Sequence, residues 1–154
     1  MISVAHFRLL VVRPTLSHIG LWSEAAENLL LGTAVQESGL RHLRQLGQGP
    51  ARGLYQIEPA TAGDIWRNFL PNSRVLAARI ESLLARRPSR TEQLTTNLAY
   101  ATAMARIVYL RHAEPLPDAG DVAGLARYWK RYFNTARGGG SAAAFILNYK
   151  EFVS

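Results

Sequence analysis

Ala34-Val35-Gln36-Glu37-Ser38-Gly39-Leu40, followed after a short interval by Gly53-Leu54-Tyr55-Gln56-Ile57-Glu58-Pro59-Ala60-Thr61-Ala62, is the stretch on which the reading of this chain turns. Its first half ends a helix. Ser23 is a good N-cap, Glu24 and Glu27 fall in the first turn where the helix dipole favours acids, and Leu29, Leu30, Thr33 and Ala34 continue the apolar run. Gly39 supplies a natural stop. Glu37 is the only acidic residue between Asn28 and Ile57. At the C-terminal end of a buried helix, both the partial negative charge of the helix and the apolar neighbours disfavour its ionisation, so a raised pKa is expected. A carboxyl group of that kind is a candidate general acid.

The second half begins with an extended or strand-like piece, Leu54-Tyr55-Gln56-Ile57, and passes through Pro59 into the first turn of a new helix carrying Ile65, Trp66 and Phe69. Between the halves, residues 40–52 hold Gly47, Gly49 and Pro50 and read as an ordered loop whose polar content is Arg41, His42, Arg44 and Arg52. Ser38, Tyr55 and Gln56 are neutral hydrogen-bonding groups suited to hold sugar hydroxyls or N-acetyl groups without ionising.

Outside this region the pattern is helical throughout. Ser3 caps a helix through Val12, Pro14 kinks or restarts it, and Gly20 ends it. Ser73 opens a helix through Leu84. The longest helix is expected from about Thr91 to His112, packed centrally through Ala99, Ala101, Thr102, Ala103 and Ala105. Asp121 caps the next, with Leu125, Tyr128, Trp129, Tyr132 and Phe133, and Ser141 caps the last, with Phe145, Ile146, Tyr149 and Phe152. The fold class expected is mainly α, one helical domain over residues 1–154 with a small extended element near residues 53–58.

At 154 residues the chain is long enough for one core that buries close to ~70% of the surface its unfolded form exposes. There is no cysteine, which removes disulfides and thiolate chemistry. His6, His18, His42 and His112 show no metal-ligand spacing, so no metal or other cofactor is expected. The net charge is +7, from 16 arginines and 2 lysines against 11 acids. Such a surface favours polyanions: nucleic acid, anionic lipid or the acid-bearing bacterial cell wall. No apolar run approaches the length of a membrane span, and no signal peptide is visible.

The two blocks at their spacing carry a resemblance. Glu37-Ser38-Gly39-Leu40 and then Gly53-Leu54-Tyr55-Gln56-Ile57-Glu58-Pro59-Ala60-Thr61-Ala62 resemble the soluble lytic transglycosylase family of the lysozyme-like superfamily, goose-type lysozymes included. In that family a Glu-Ser pair ends a helix and a Gly-Leu-Met-Gln-Ile-x-Pro-x-Thr-Ala segment follows. Asn97-Leu98-Ala99-Tyr100-Ala101-Thr102-Ala103, ending in Tyr109-Leu110, is similar to a third family block. Tyr132-Phe133-Asn134-Thr135 echoes a fourth, Ala-Tyr-Asn-Ala-Gly, with Phe133 falling where a tyrosine normally attends the acid and Tyr132 one residue earlier.

The resemblance implies a lysozyme-like fold and cleavage of the MurNAc–GlcNAc β-1,4 linkage of peptidoglycan, with Glu37 as general acid/base. It implies a groove that includes Ser38, Tyr55, Gln56, Glu58, Asn97, Tyr100, Tyr132 and Asn134. In transglycosylases one glutamate suffices, because the sugar's own C6 hydroxyl attacks to give a 1,6-anhydro product. Goose-type relatives admit water, and Glu58 stands where a second acid assists there. Such a module without an export signal also resembles bacteriophage virion proteins, which implies other virion proteins as partners and the cell wall as the place of action.

Plainer readings stand beside these. Glu58 is also a helix-start acid favoured by the dipole. Trp22, Trp66 and Trp129 are core or groove-wall aromatics, Asn97 and Tyr100 can equally be helix-packing groups, and Arg41, Arg44 and Arg52 either meet stem-peptide carboxylates or are simply solvated. At the level of function, the alternative to an enzyme is a structural virion or tail component that keeps the fold without the activity. Nucleic-acid binding through the arginines is a third class, with no motif behind it.

Overall fold

The helix that ends at the Glu37-Ser38 pair is α3 (Glu24–Ser38) in the computed structural model, which describes residues 1–134 and 138–154. Ser23 caps it, its hydroxyl accepting the Ala26 N–H at 3.0 Å, and Gly39 closes it in the left-handed region at φ 62°. Every residue from Ala26 to Val35 is buried, so α3 has no solvent face over that span and forms the axis of the core. The described chain is 64% helix and 2% strand, which matches the expected mainly-α class.

Around α3 lie α7 (Leu98–Leu110), α8 (Val122–Trp129) and α9 (Ala142–Phe152), which supply the fully buried rings of Trp129, Tyr100, Tyr109 and Phe145. Gly32 lets α9 approach closely: a Cβ there would overlap the Phe145 ring. Asp121 and Ser141 cap α8 and α9 through their side chains, as their sequence positions suggest.

At the N-terminus, α1 (Val4–Phe7) continues through a π turn (Arg8–Val12) into α2 (Arg13–His18). Pro14 lies within this continuous run, directly after the π turn, and the altered hydrogen-bond register of that turn takes up its missing N–H without breaking the helix. The wider π turn brings residues five apart toward one face. Arg8 and Arg13 are so placed, and both reach Glu27 of α3, Arg8 Nη1 to Oε1 at 2.7 Å and Arg13 Nε to Oε2 at 2.9 Å. Trp22 Nε1 donates to the same carboxylate at 2.8 Å. Glu27 is thus a buried anchor as well as a first-turn acid.

The single long helix expected over 91–112 is instead two: α6 (Arg90–Thr96) and α7, divided at Asn97. Asn97 takes an extended backbone (φ −117°, ψ 98°), accepts the Tyr100 N–H at 3.0 Å and donates to the Leu83 carbonyl at 2.8 Å. Its side chain offers the backbone a better partner than helix continuation does. The helix expected from Ser73 to Leu84 is also shorter: α5 covers Arg74–Glu81.

α4 (Pro59–Asp64) follows the second motif block and runs through a π turn (Ile65–Phe69) and a 3-10 turn (Leu70–Asn72). The extended element near residues 53–58 reduces to single bridges, Arg44 with Arg52 and Arg52 with Ile57, flanking a tight turn. Gly53 is required in that turn. It has φ 75°, and a Cβ would overlap the Leu94 carbonyl.

Candidate active site

The α3 C-terminus, the 42–46 loop, the Gln56–Glu58 segment and the end of α8 enclose an open groove of about 660 Å³. Glu37 lies in it, half-buried, one residue before the helix ends. Facing it is a third π turn (Lys130–Asn134) continuous with α8, followed by Gly138–Gly140.

Ser38 explains why the two motif halves are linked at a set interval. Its hydroxyl is buried, 2.6 Å from the Leu54 carbonyl and 3.0 Å from the Ala34 carbonyl, and it accepts the Leu40 N–H at 3.2 Å. It ties the end of α3 to the turn carrying Gln56 and does not open onto the groove, so the expectation of substrate contact through Ser38 gives way to a positioning one. Gln56 itself lines the groove. It holds a left-handed backbone at φ 52°, uncommon for a side chain of its size, and its amide donates to Gly53 O at 2.9 Å.

Burial pushes the Glu37 carboxyl up, against the donor bond from Trp129, the Asn134 amide and the charge of Lys130, which pull it down; the result is about 7. Trp129 Nε1 donates to Glu37 Oε1 at 2.9 Å from a fully buried ring. A carboxyl near 7 is both a proton donor and, once ionised, an acceptor at neutral pH. Glu58 lies on the same groove, exposed, at the N-cap of α4 without a capping bond from its side chain.

Several expected groove residues lie elsewhere. Tyr55 points into the core, its hydroxyl 3.0 Å from Thr102 Oγ1 and its ring 6.1 Å from Phe7, because its neighbours in the turn alternate sides and Gln56 takes the groove side. Tyr100 is fully buried and accepts from Trp66 Nε1 at 2.9 Å, and Asn97 is occupied as the helix divider. Tyr132 turns away: its hydroxyl donates to the Glu114 carboxylate and its ring stacks on His112 at 4.2 Å between centroids. Phe133 faces the groove instead, its ring 5.3 Å from Tyr109. Asn134 lines the groove; Thr135, the last residue of the fourth block, lies outside the described residues.

The groups that sequence reasoning missed are Gln36 and Lys130, together with the specific part played by Trp129. Gln36 lines the groove and its Oε1 accepts from Asn148 of α9 at 2.7 Å. Trp129 sits 92 positions from Glu37, and no spacing rule connects them; only the packing of α8 on α3 does. Among the described residues no three His, Asp or Glu side chains cluster as metal ligands, and no helix is long and apolar enough to cross a membrane.

No protein-family model, curated protein or solved structure matches the chain.

The raised carboxyl has a consequence for stability. A group with a folded-state pKa near 7 and an ordinary value of 4.5 favours the fold fully below pH 4.5, and that contribution is lost as pH rises through 7. Glutamine at this position cannot ionise. Glu37→Gln is expected to gain on wild type by about 3 kcal/mol between pH 4 and pH 8, read from urea denaturation at the two pH values.

Proposed function

We propose that the protein is a peptidoglycan-cleaving enzyme, a lytic transglycosylase or muramidase, with Glu37 as its general acid/base. The observation that carries this reading is a carboxyl group poised near neutrality in an open groove, held by an indole N–H, with the Gln56 and Asn134 amides on the same groove. The motif resemblance supplies the substrate class, a β-1,4-linked MurNAc–GlcNAc strand.

In the proposed reaction, protonated Glu37 gives its proton to the glycosidic oxygen as the C1–O bond breaks. The resulting carboxylate stays in contact with the Trp129 N–H, a donor that stabilises the anion without supplying a proton at this pH. With the MurNAc C6 hydroxyl as nucleophile the carboxylate accepts that hydroxyl's proton and the product is a 1,6-anhydro sugar. With water the product is a reducing-end sugar, and Glu58 is the groove carboxylate that takes the water's proton. On the resemblance alone, we place the protein in a bacteriophage virion, among other particle proteins and acting on the wall.

One observation favours a second reading, a particle component that retains the groove without turnover. The fourth motif block brings no tyrosine hydroxyl to the acid: Tyr132 faces Glu114 and Phe133 takes the groove side. Trp129 Nε1 already supplies a donor to Glu37, which is why we prefer the enzyme. Incubating the protein with purified sacculi and analysing the soluble fraction by mass spectrometry separates the two. Anhydro-muropeptides identify a transglycosylase and reducing-end MurNAc a muramidase, whereas no release from sacculi supports the non-catalytic component.

A further inference from the structure

We propose that Lys130 is a positioning residue of the site, fixing the Asn134 amide and the Gly138–Gly140 segment as the wall that faces Glu37. Lys130 begins the π turn directly after Trp129, and its ammonium group turns inward, half-buried, rather than to solvent. It has three acceptors: Asn134 Oδ1 at 2.7 Å, Gly140 O at 2.7 Å and Gly138 O at 3.1 Å. An ammonium carries three donors and no acceptor, so these three bonds saturate it. A lysine whose donors are all spent on its own chain is a structural clamp.

The clamp has a direction. Because Lys130 can only donate, it selects the amide oxygen of Asn134, and the Asn134 NH2 is left to donate elsewhere. The neighbouring acceptor is Glu37, which lines the same groove and whose carboxyl the nearby Asn134 amide pulls down. The carboxylate accepts the Trp129 indole N–H and has the Asn134 amide beside it on the groove, with that amide's orientation set by Lys130. Gly140 completes the arrangement. It lies against the Trp129 ring so closely that a Cβ would overlap the indole, and its carbonyl is held there by Lys130. Of the chain's two lysines, the other, Lys150, is exposed on α9. Arginine would not replace Lys130 in kind, since its donors lie in one plane whereas the three of an ammonium diverge tetrahedrally.

This inference deepens the assignment of Glu37 as the acid, and depends on that assignment only for its effect on rate. Its direct test is the titration of the Glu37 side-chain carboxyl carbon by 13C NMR, which needs no turnover. The groups that face that carboxyl are Trp129, Lys130 and Asn134 from the α8 side and the Tyr109 hydroxyl from α7, with Glu58, Arg44 and His42 across the groove. Trp129, Tyr109, Glu58, Arg44 and His42 are unaltered in the variants. Lys130→Met is expected to move the Glu37 midpoint upward by about half a pH unit or more, with Lys130→Gln as the second variant where the first does not fold. In an Asn134→Leu background the same Lys130 substitution is expected to produce no more than about half that shift, because part of its influence passes through the amide. A folded Lys130 variant with an unmoved midpoint overturns the proposal, and so does an undiminished shift in the Asn134→Leu background. On sacculi, Lys130→Met is expected to lower kcat about 10- to 100-fold while KM changes less. A wild-type protein inert on sacculi would sink the proposed function and leave the titration result standing.

Discussion

Replacing Glu27 with glutamine is expected to lower the folding free energy by about 3 kcal/mol, the largest loss of stability of any single substitution considered for this chain. The Glu27 side chain is 1% exposed, and its two oxygens receive bonds from Arg8, Arg13 and Trp22. Burial alone would push its carboxyl up. The hydrogen bonds from Arg13, Trp22 and Arg8, with the charge of Arg13, outweigh burial and hold it at about 2. An amide in its place keeps the volume but removes the charge, leaving two arginines facing a neutral group. Both arginines keep partial access to water, with side chains 23% and 46% exposed, which places the cost at the lower end of the range for broken buried pairs.

The pH dependence follows from the sign of the shift. Glu27 has a folded-state pKa depressed below its ordinary 4.5, so its contribution is present above pH 4.5 and is lost as pH falls through 2. Thermal denaturation of wild type and Glu27→Gln should differ by roughly 10 °C at pH 7, and the gap should close on acidification toward pH 2. A constant gap across that range would mean that the carboxylate charge is not what joins α1 and α2 to α3.

The helical class, the α3 boundaries and the caps at Ser23, Asp121 and Ser141 were legible in the sequence, because each rests on local chemistry within one turn. Glu37 was legible as an acid at an apolar helix end for the same reason. What local reading missed is tertiary. Asn97 looks like a helix-interior residue until Leu83 is near enough to bind its amide. Tyr55 looks like a groove residue until the turn at Gly53 sends it inward and Gln56 outward. The π turn at Lys130–Asn134 leaves no composition signal, yet it turns Tyr132 toward Glu114 and presents Phe133 and Asn134 to the groove. The partner of Glu37, Trp129, could be read only as an aromatic of the core or the wall, since its Nε1 meets the carboxylate through packing alone.

The second large effect is on turnover. Glu37→Gln preserves the side-chain size and leaves an oxygen to accept from Trp129 Nε1, so the groove is expected to keep its shape. It removes the one group that can deliver a proton to the leaving oxygen and take one from the nucleophile. Loss of a positioned general acid costs about 10²- to 10⁴-fold, and a residue that serves as acid and then as base belongs at the upper part of that range. Glu58 cannot substitute: it stands exposed at the start of α4 and receives no bond from Trp129. With a carboxyl near 7, wild-type activity should also fall as pH rises above 7, where the proton is lost before substrate is met.

The most direct measurement is the release of soluble muropeptides from purified sacculi by wild type and by Glu37→Gln, side by side at pH 6. We predict steady release by wild type and at least a ~10³-fold lower rate for the folded variant. Equal release by the two proteins, or none by wild type, would contradict Glu37 as the acid of a glycan-cleaving groove.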